Sequence, residues 1–241
     1  QFAFMVADDR KVHVPLFIPN AGPEIRNGVK VLARLVEWDD PRKNPVGKIL
    51  KVIGKKGDND VEMESIVLEK GFEIGFPDGV EREAEKIKAR YREILKKESA
   101  KRRDMRGTLT VTIDPADAKD FDDAISFKKL PGDLFEIGVH IADVASWVKE
   151  RSALDKEARK RGFSIYLVDR TIPMLPEVLS NDICSLNPDE DKLTFSAIFK
   201  MTREGLVKDV WFGKTVIRSD KRFTYQEAQD VIDGKLAGPH A

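Results

Sequence analysis

Apolar and polar positions alternate from Phe2 to about Ile53 in four short runs, FAFMV, VHVPLFIP, VKVLARLVEW and VGKILKVIG. Turn-forming stretches, DDRK, NAGPEIRNG and DDPRKNP, separate them. A period of two sends successive side chains to opposite faces, so this region predicts a small all-β barrel. Within the first run Phe2 and Phe4 share a face, and alternation alone reads both as core. The pattern turns helical at DNDVEMESIVLEK (58 to 70), with Asp58 or Asp60 as the cap, and FPDG (76 to 79) breaks it. Val80, Ala84, Ile87, Tyr91 and Leu95 then recur at spacings of four, three, four and four, which predicts a longer helix with one apolar stripe.

Past Gly107 the character becomes α/β. Strands are expected at LTVTID (109 to 114), DDAISF (122 to 127) and LFEIGVHIAD (134 to 143), with a hairpin turn at PGD (131 to 133). SALDKEARKRG reads as a helix ended by Gly162, and KLTFSAIFKMT and VKDVWFGKTVI as a strand pair. Thr224 with Glu227 forms a capping box for a final helix. The fold class is therefore α+β in three stretches: a barrel over 1–70, a connecting helical segment over 71–106, and a mixed α/β domain over 107–241.

Composition narrows the class only a little. Among 241 residues, 42 Lys+Arg balance 42 Asp+Glu, so no global basic charge marks a nucleic-acid partner and any basic surface must be local. One candidate lies between Lys86 and Arg103, where nine Lys/Arg face two Glu; a solvated helix face and a phosphate-binding patch both fit. Cys184, the single cysteine, excludes an internal disulfide, fits a reducing compartment and reads as a buried, inert thiol in LSNDICSL. No apolar run approaches the roughly 18 residues of a membrane span, and a cytoplasmic protein is expected. The chain opens on Gln1 inside a strand and stops at LAGPHA just past a helix, so both ends read as cuts.

Candidate chemistry concentrates in TIDPADAKDFDDAIS, where Asp114, Asp117, Asp120, Asp122 and Asp123 fall within ten residues. Two carboxylates about 4 Å apart repel by about 4 kcal/mol at an effective dielectric of about 20. Acids clustered at a strand end thus call for a compensating cation. Mg²⁺ or Mn²⁺ suits an all-oxygen donor set, whereas the spacing fails the EF-hand pattern for calcium. The competing reading is that the aspartates serve turns and helix caps. A metal held by several acids favours phosphoryl chemistry, as in a nuclease or phosphatase. His140, in GVHIAD, could act as a base but reads better as a satisfied structural histidine.

IDPADAKDFDDA, GVHIADVASWV, LDKEARKRGFSIYL and TIPMLPEVLSNDICSLNP together resemble the RNB catalytic domain of the ribonuclease II/R family. FAFMV followed by VHVPLFIP resembles the paired aromatic strands of cold-shock-type OB domains. The resemblance implies a cold-shock OB barrel followed by the N-terminal part of an RNB domain. It also implies processive, hydrolytic 3′-to-5′ degradation of single-stranded RNA to nucleoside 5′-monophosphates by a monomeric parent protein. On this resemblance Asp114, Asp120 and Asp123 would hold magnesium and its waters, Asp122 would be the acid most critical to the chemistry, and Tyr166 would pack at the 3′-terminal nucleotide. Phe2, Phe4 and Phe17 become candidate RNA contacts, while Asp117 falls outside the signature and reads as a turn or capping residue. ASW at 145 to 147 departs from the commoner Ser followed by two aromatics. The family's catalytic domain continues past this chain into a phosphate-gripping arginine, a further acid and an aromatic clamp. An isolated 241-residue polypeptide is therefore expected to be inactive and prone to self-association. A non-catalytic RNA-binding relative is the alternative; it would be expected to have lost one of the four signature acids, and all four are present.

Overall fold

The computed structural model describes residues 1–235 and divides into two compact units, Gln1–Gly75 and Phe76 onward. The LAGPHA segment lies outside the described residues. In the first unit β1 (Ala3–Met5), β2 (Leu16–Ile18), β3 (Val29–Glu37) and β4 (Val46–Lys55) form one sheet in the order β1-β2-β4-β3. The expected barrel-type module is present as an open sheet, with β1 and β3 as its edges. The physical reason is strand length. Of VHVPLFIP only Leu16–Ile18 pairs, directly after Pro15, which has no N–H to give, and β2 meets β4 at a single register pair, Phe17 with Val46. The helix α1 (Asn59–Glu69) follows, with Val61 and Val67 buried. It approaches β4 at Gly54, where φ is +155° and a Cβ would stand 2.5 Å from Val61 Cγ2.

In the second unit the expected long helix is two, α2 (Asp78–Ala89) and α3 (Tyr91–Ser99), broken at Arg90. Its apolar stripe is nonetheless used as one: Val80 and Ala84 are buried and Ile87, Tyr91 and Leu95 pack beside them, against Leu154, Leu179 and Leu193. The helices thus belong to the core of this unit. Further along the chain come β5 (Arg103–Asp104), β6 (Leu109–Asp114), β7 (Asp123–Leu130), β8 (Leu134–Ala142), α4 (Ala153–Arg161), β9 (Ile165–Tyr166) and β10 (Thr171–Ile172). A π-helical turn at Val178–Ile183 precedes β11 (Asp191–Thr202), β12 (Val207–Arg218), β13 (Lys221–Thr224) and α5 (Tyr225–Ile232). The Ser152 cap opens α4, Gly162 at φ +80° ends it, and the Thr224–Glu227 capping box opens α5.

Seven strands make a mixed sheet in the order β13-β6-β7-β8-β11-β12-β5, parallel where β13 joins β6 and β5 joins β12, antiparallel elsewhere. Its two faces are unusual. The polar row Thr110, Thr112, Ser126, His140, Thr194, Ser196 and Thr215 is buried, while Ile125, Phe127, Ile141, Phe195 and Phe212 on neighbouring positions are exposed. The buried row survives because much of it bonds internally: Thr215 Oγ1 lies 2.6 Å from Thr194 Oγ1 and 2.5 Å from Ser196 Oγ. No helix among the described residues is long and apolar enough to cross a membrane.

Candidate active site

The strands deliver the acids. Asp114 is the last residue of β6, where its backbone pairs with Thr224 of β13, and Asp123 opens β7 opposite Ile141 of β8. Asp120 and Asp122 lie on the loop between, so two of the four acids are fixed by the sheet and two by that loop. All four line one open cleft of about 760 Å³, facing Tyr166, Arg170, Glu177 and Asn181. Asp117 lines it too.

Crowding shows in the acids' titration. Burial pushes the Asp114 carboxyl above its ordinary value, and the charges of Asp123 and Asp120 add to this while Arg222 opposes it. Asp114 Oδ2 is buried with no hydrogen-bond partner. Asp122 is solvent-accessible at the cleft surface, yet the surrounding walls desolvate it, and that burial, followed by Asp120, Asp123 and Asp114, raises its carboxyl as well. A cation would relieve both. Among the described residues no three acids, histidines or cysteines stand close enough to enclose an ion by themselves. Magnesium does not require that, since it keeps several waters and takes one or two carboxylates directly. An orphaned buried carboxylate oxygen, mutual repulsion and an all-oxygen donor set together fit such a hydrated ion.

Tyr166, at the end of β9, is 66% exposed and stands at the cleft rather than in the core. Its hydroxyl donates to Asp120 Oδ2 at 2.7 Å, and this bond, ahead of burial, pushes the phenol up to about 12. Arg222 on β13 was not legible as part of the site. Its Nη2 donates to the carbonyls of Pro115 and Ala116, and its guanidinium lies 5.2 Å from the Phe121 ring centroid.

The bland readings of His140 and Cys184 hold. The His140 ring is fully buried, 2.6 Å from Ser196 Oγ and 2.9 Å from Ser126 Oγ, and burial pushes it down to about 4. Gly138 makes room for it, because a Cβ there would strike Ser126 Oγ and the imidazole. Burial pushes the Cys184 thiol up to about 12, so it stays protonated at neutral pH. Within the basic run, Arg102 is buried in an ion pair with Asp143 (2.7 Å) and Arg103 bonds Glu136 (3.0 Å) and lies over Trp211, so these two hold the sheet.

In the first unit Phe2 and Phe4 are 64% and 56% exposed, which overturns the core reading drawn from alternation. With Phe17 they form a triad whose ring centroids lie 5.6 to 6.2 Å apart. The triad thus leaves a cluster of aromatic rings in water.

Together these features define a cold-shock-type sheet module followed by an α/β domain with an aspartate cluster at its strand ends. Family models agree with that class: the cold shock domain matches residues 4–77 and the RNB domain residues 102–241. The chain belongs to the RNB family. Ribonuclease R of Thermotoga maritima is 44% identical over 96% of this chain, which spans 33% of that protein. The structure of Mycoplasma genitalium RNase R in complex with double-stranded RNA superposes with a TM-score of 0.83 at 28% identity, over 98% of this chain and 43% of that one. Yeast Ssd1, a pseudonuclease, matches with a TM-score of 0.73 at 17% identity over 100% of this chain and 31% of its own, a likeness of fold alone.

Proposed function

We propose that this cleft hydrolyses single-stranded RNA with magnesium, removing nucleotides processively from the 3′ end as nucleoside 5′-monophosphates. The observation that carries the reading is the convergence of Asp114, Asp120, Asp122 and Asp123 with Tyr166 in one cleft. Asp114, Asp120 and Asp123 would hold Mg²⁺, or Mn²⁺ in its place, and its waters. When bound, the ion supplies charge neutralisation at the attacked phosphate and a more acidic water. Asp122 is assigned to the reacting phosphate. Tyr166, free to turn from Asp120 towards a nucleotide, packs at the 3′ end. Phe2, Phe4 and Phe17 stack unpaired bases, each worth about 1–3 kcal/mol.

The protein acts as a cytoplasmic monomer on RNA in this reading. Isolated residues 1–241 show little processive activity, and the exposed apolar sheet face at Ile125, Phe127, Phe195 and Phe212 favours their self-association. A non-catalytic relative is disfavoured because all four acids are in place. The test is to give the full encoded protein 5′-end-labelled single-stranded RNA with Mg²⁺ or with chelator. Stepwise shortening from the 3′ end and 5′-monophosphates are expected with the metal only. Internal cuts, or 3′-phosphate products, would refute the proposal.

A further inference from the structure

Ser185 belongs to none of the roles assigned above, and its side chain is fully buried. Its Oγ accepts from the Phe121 N–H at 2.9 Å and donates to the Lys119 carbonyl at 2.9 Å. One hydroxyl therefore bonds both residues that flank Asp120. The neighbouring groups extend the grip: Leu186 N–H donates to the Phe121 carbonyl at 2.8 Å, and Ala142 N–H donates to the Asp122 carbonyl at 2.9 Å. The Phe121 ring is buried in a core cluster with Leu186, Ile198 and Ile217, so the loop is fastened by a side chain as well as by its backbone.

The clamp is itself braced. Ser185 leaves the π-helical turn, closed by Cys184 N–H donating to the Leu179 carbonyl at 2.8 Å. Lys192, buried, donates from Nζ to the Asp182 carbonyl at 2.6 Å and pairs with Glu190 at 2.7 Å. A buried ammonium is costly unless every donor has a use, and here one donor fixes the turn that presents Ser185. The order of support runs from β11 through the turn to Ser185 and on to the aspartate loop.

We propose that Ser185 is a positioning residue of the active site: its hydroxyl fixes the backbone on both sides of Asp120. The Asp120 and Asp122 carboxylates are thereby held, against their mutual repulsion, in the arrangement that a divalent cation and a phosphate require. Ser185 acts through the loop and touches neither. The proposal rests on the reading of this cleft as the metal-dependent site, and it extends that reading to a residue 64 positions away in sequence.

The experiment uses the full encoded protein, unmutated and as Ser185→Ala and Ser185→Cys. In the metal-free unmutated protein, hydrogen exchange should show the Phe121 amide as protected as those of β7. Ser185→Ala should speed exchange there while β7 and β8 keep theirs. It should lower kcat and raise the Mn²⁺ concentration for half-maximal rate, each by about 10- to 100-fold, the range for lost outer partners of a metal site. KM for RNA should change little, and Ser185→Cys should be intermediate. A purely structural serine would lower the melting temperature and leave the metal requirement and kcat alone, and that result overturns the proposal. So does a Phe121 amide that exchanges as fast as an unstructured one in the unmutated protein, a measurement that stands even if Ser185→Ala fails to fold. An unmutated protein without any divalent-metal dependence would remove the reading of the cleft and this proposal together. Metal-dependent turnover with a wild-type Ser185→Ala kcat removes only the proposal.

Discussion

Acidifying the protein should destabilise it through His140, and the size of the effect follows from burial. An imidazole with an ordinary value of 6.5 that is held at about 4 in the fold binds a proton in the unfolded chain long before the folded one. Stability is therefore complete above pH 6.5 and falls as pH drops towards 4, because only the unfolded state takes up the proton. Integrating that difference gives a loss of about 2.5 kcal/mol between pH 7 and pH 4.5, a large share of a typical domain's stability. Asp114 and Asp122, raised in the fold, act with the opposite sign as pH falls through their raised folded values, since their protonation is easier in the folded state. A comparison with His140→Gln isolates the histidine. Urea unfolding at pH 7 and 4.5 should show the wild type losing about 2.5 kcal/mol more than the variant, and the imidazole resonances of His140 should not titrate between pH 7 and 5. Parallel losses in the two proteins, or a His140 that titrates near 6.5, would refute the buried, neutral imidazole. The second outcome would reopen a role for it as a base.

Asp114→Asn should weaken metal binding, so raising Mg²⁺ should recover part of the rate; a titration without rescue argues against Asp114 as a ligand. Tyr166→Ala should lengthen the smallest residual oligonucleotide on a sequencing gel more than it slows cleavage, because it removes a packing contact and no charge. Arg222→Ala should cost about 2 kcal/mol in denaturant unfolding, from two bonds to carbonyls and a ring contact. Since the Arg222 charge holds the Asp114 carboxyl down, its loss should also move half-maximal metal binding to higher pH, readable by calorimetry across a pH series.

What the sequence disclosed depended on how local each feature is. The Thr224–Glu227 box, the Gly162 stop and the β6 strand were legible because each is decided within a few residues. The clustered aspartates were legible because their density contradicts ordinary electrostatics. Sheet closure was not: whether β1 and β2 extend far enough to complete a barrel depends on which backbone groups find partners, and alternation is silent on that. Alternation also misassigned Phe2 and Phe4, since it separates two faces without saying which one meets water. The same blindness hid the buried polar row of the large sheet, whose Thr, Ser and His are tolerated through bonds between strands. Arg222 and Ser185 lie 107 and 64 residues from the loop backbone they hold, and no spacing rule reaches so far.

The central claim, that the aspartate cleft performs metal-dependent phosphodiester hydrolysis, is tested most directly by Asp122→Asn in the full encoded protein. The measurement is the single-turnover rate on end-labelled single-stranded RNA in saturating Mg²⁺, with RNA affinity measured alongside. The expected result is a rate at least about 100-fold lower with RNA affinity within about twofold of wild type, because the change removes charge at the reacting phosphate and leaves the binding surface in place. Near-wild-type turnover by Asp122→Asn would contradict it.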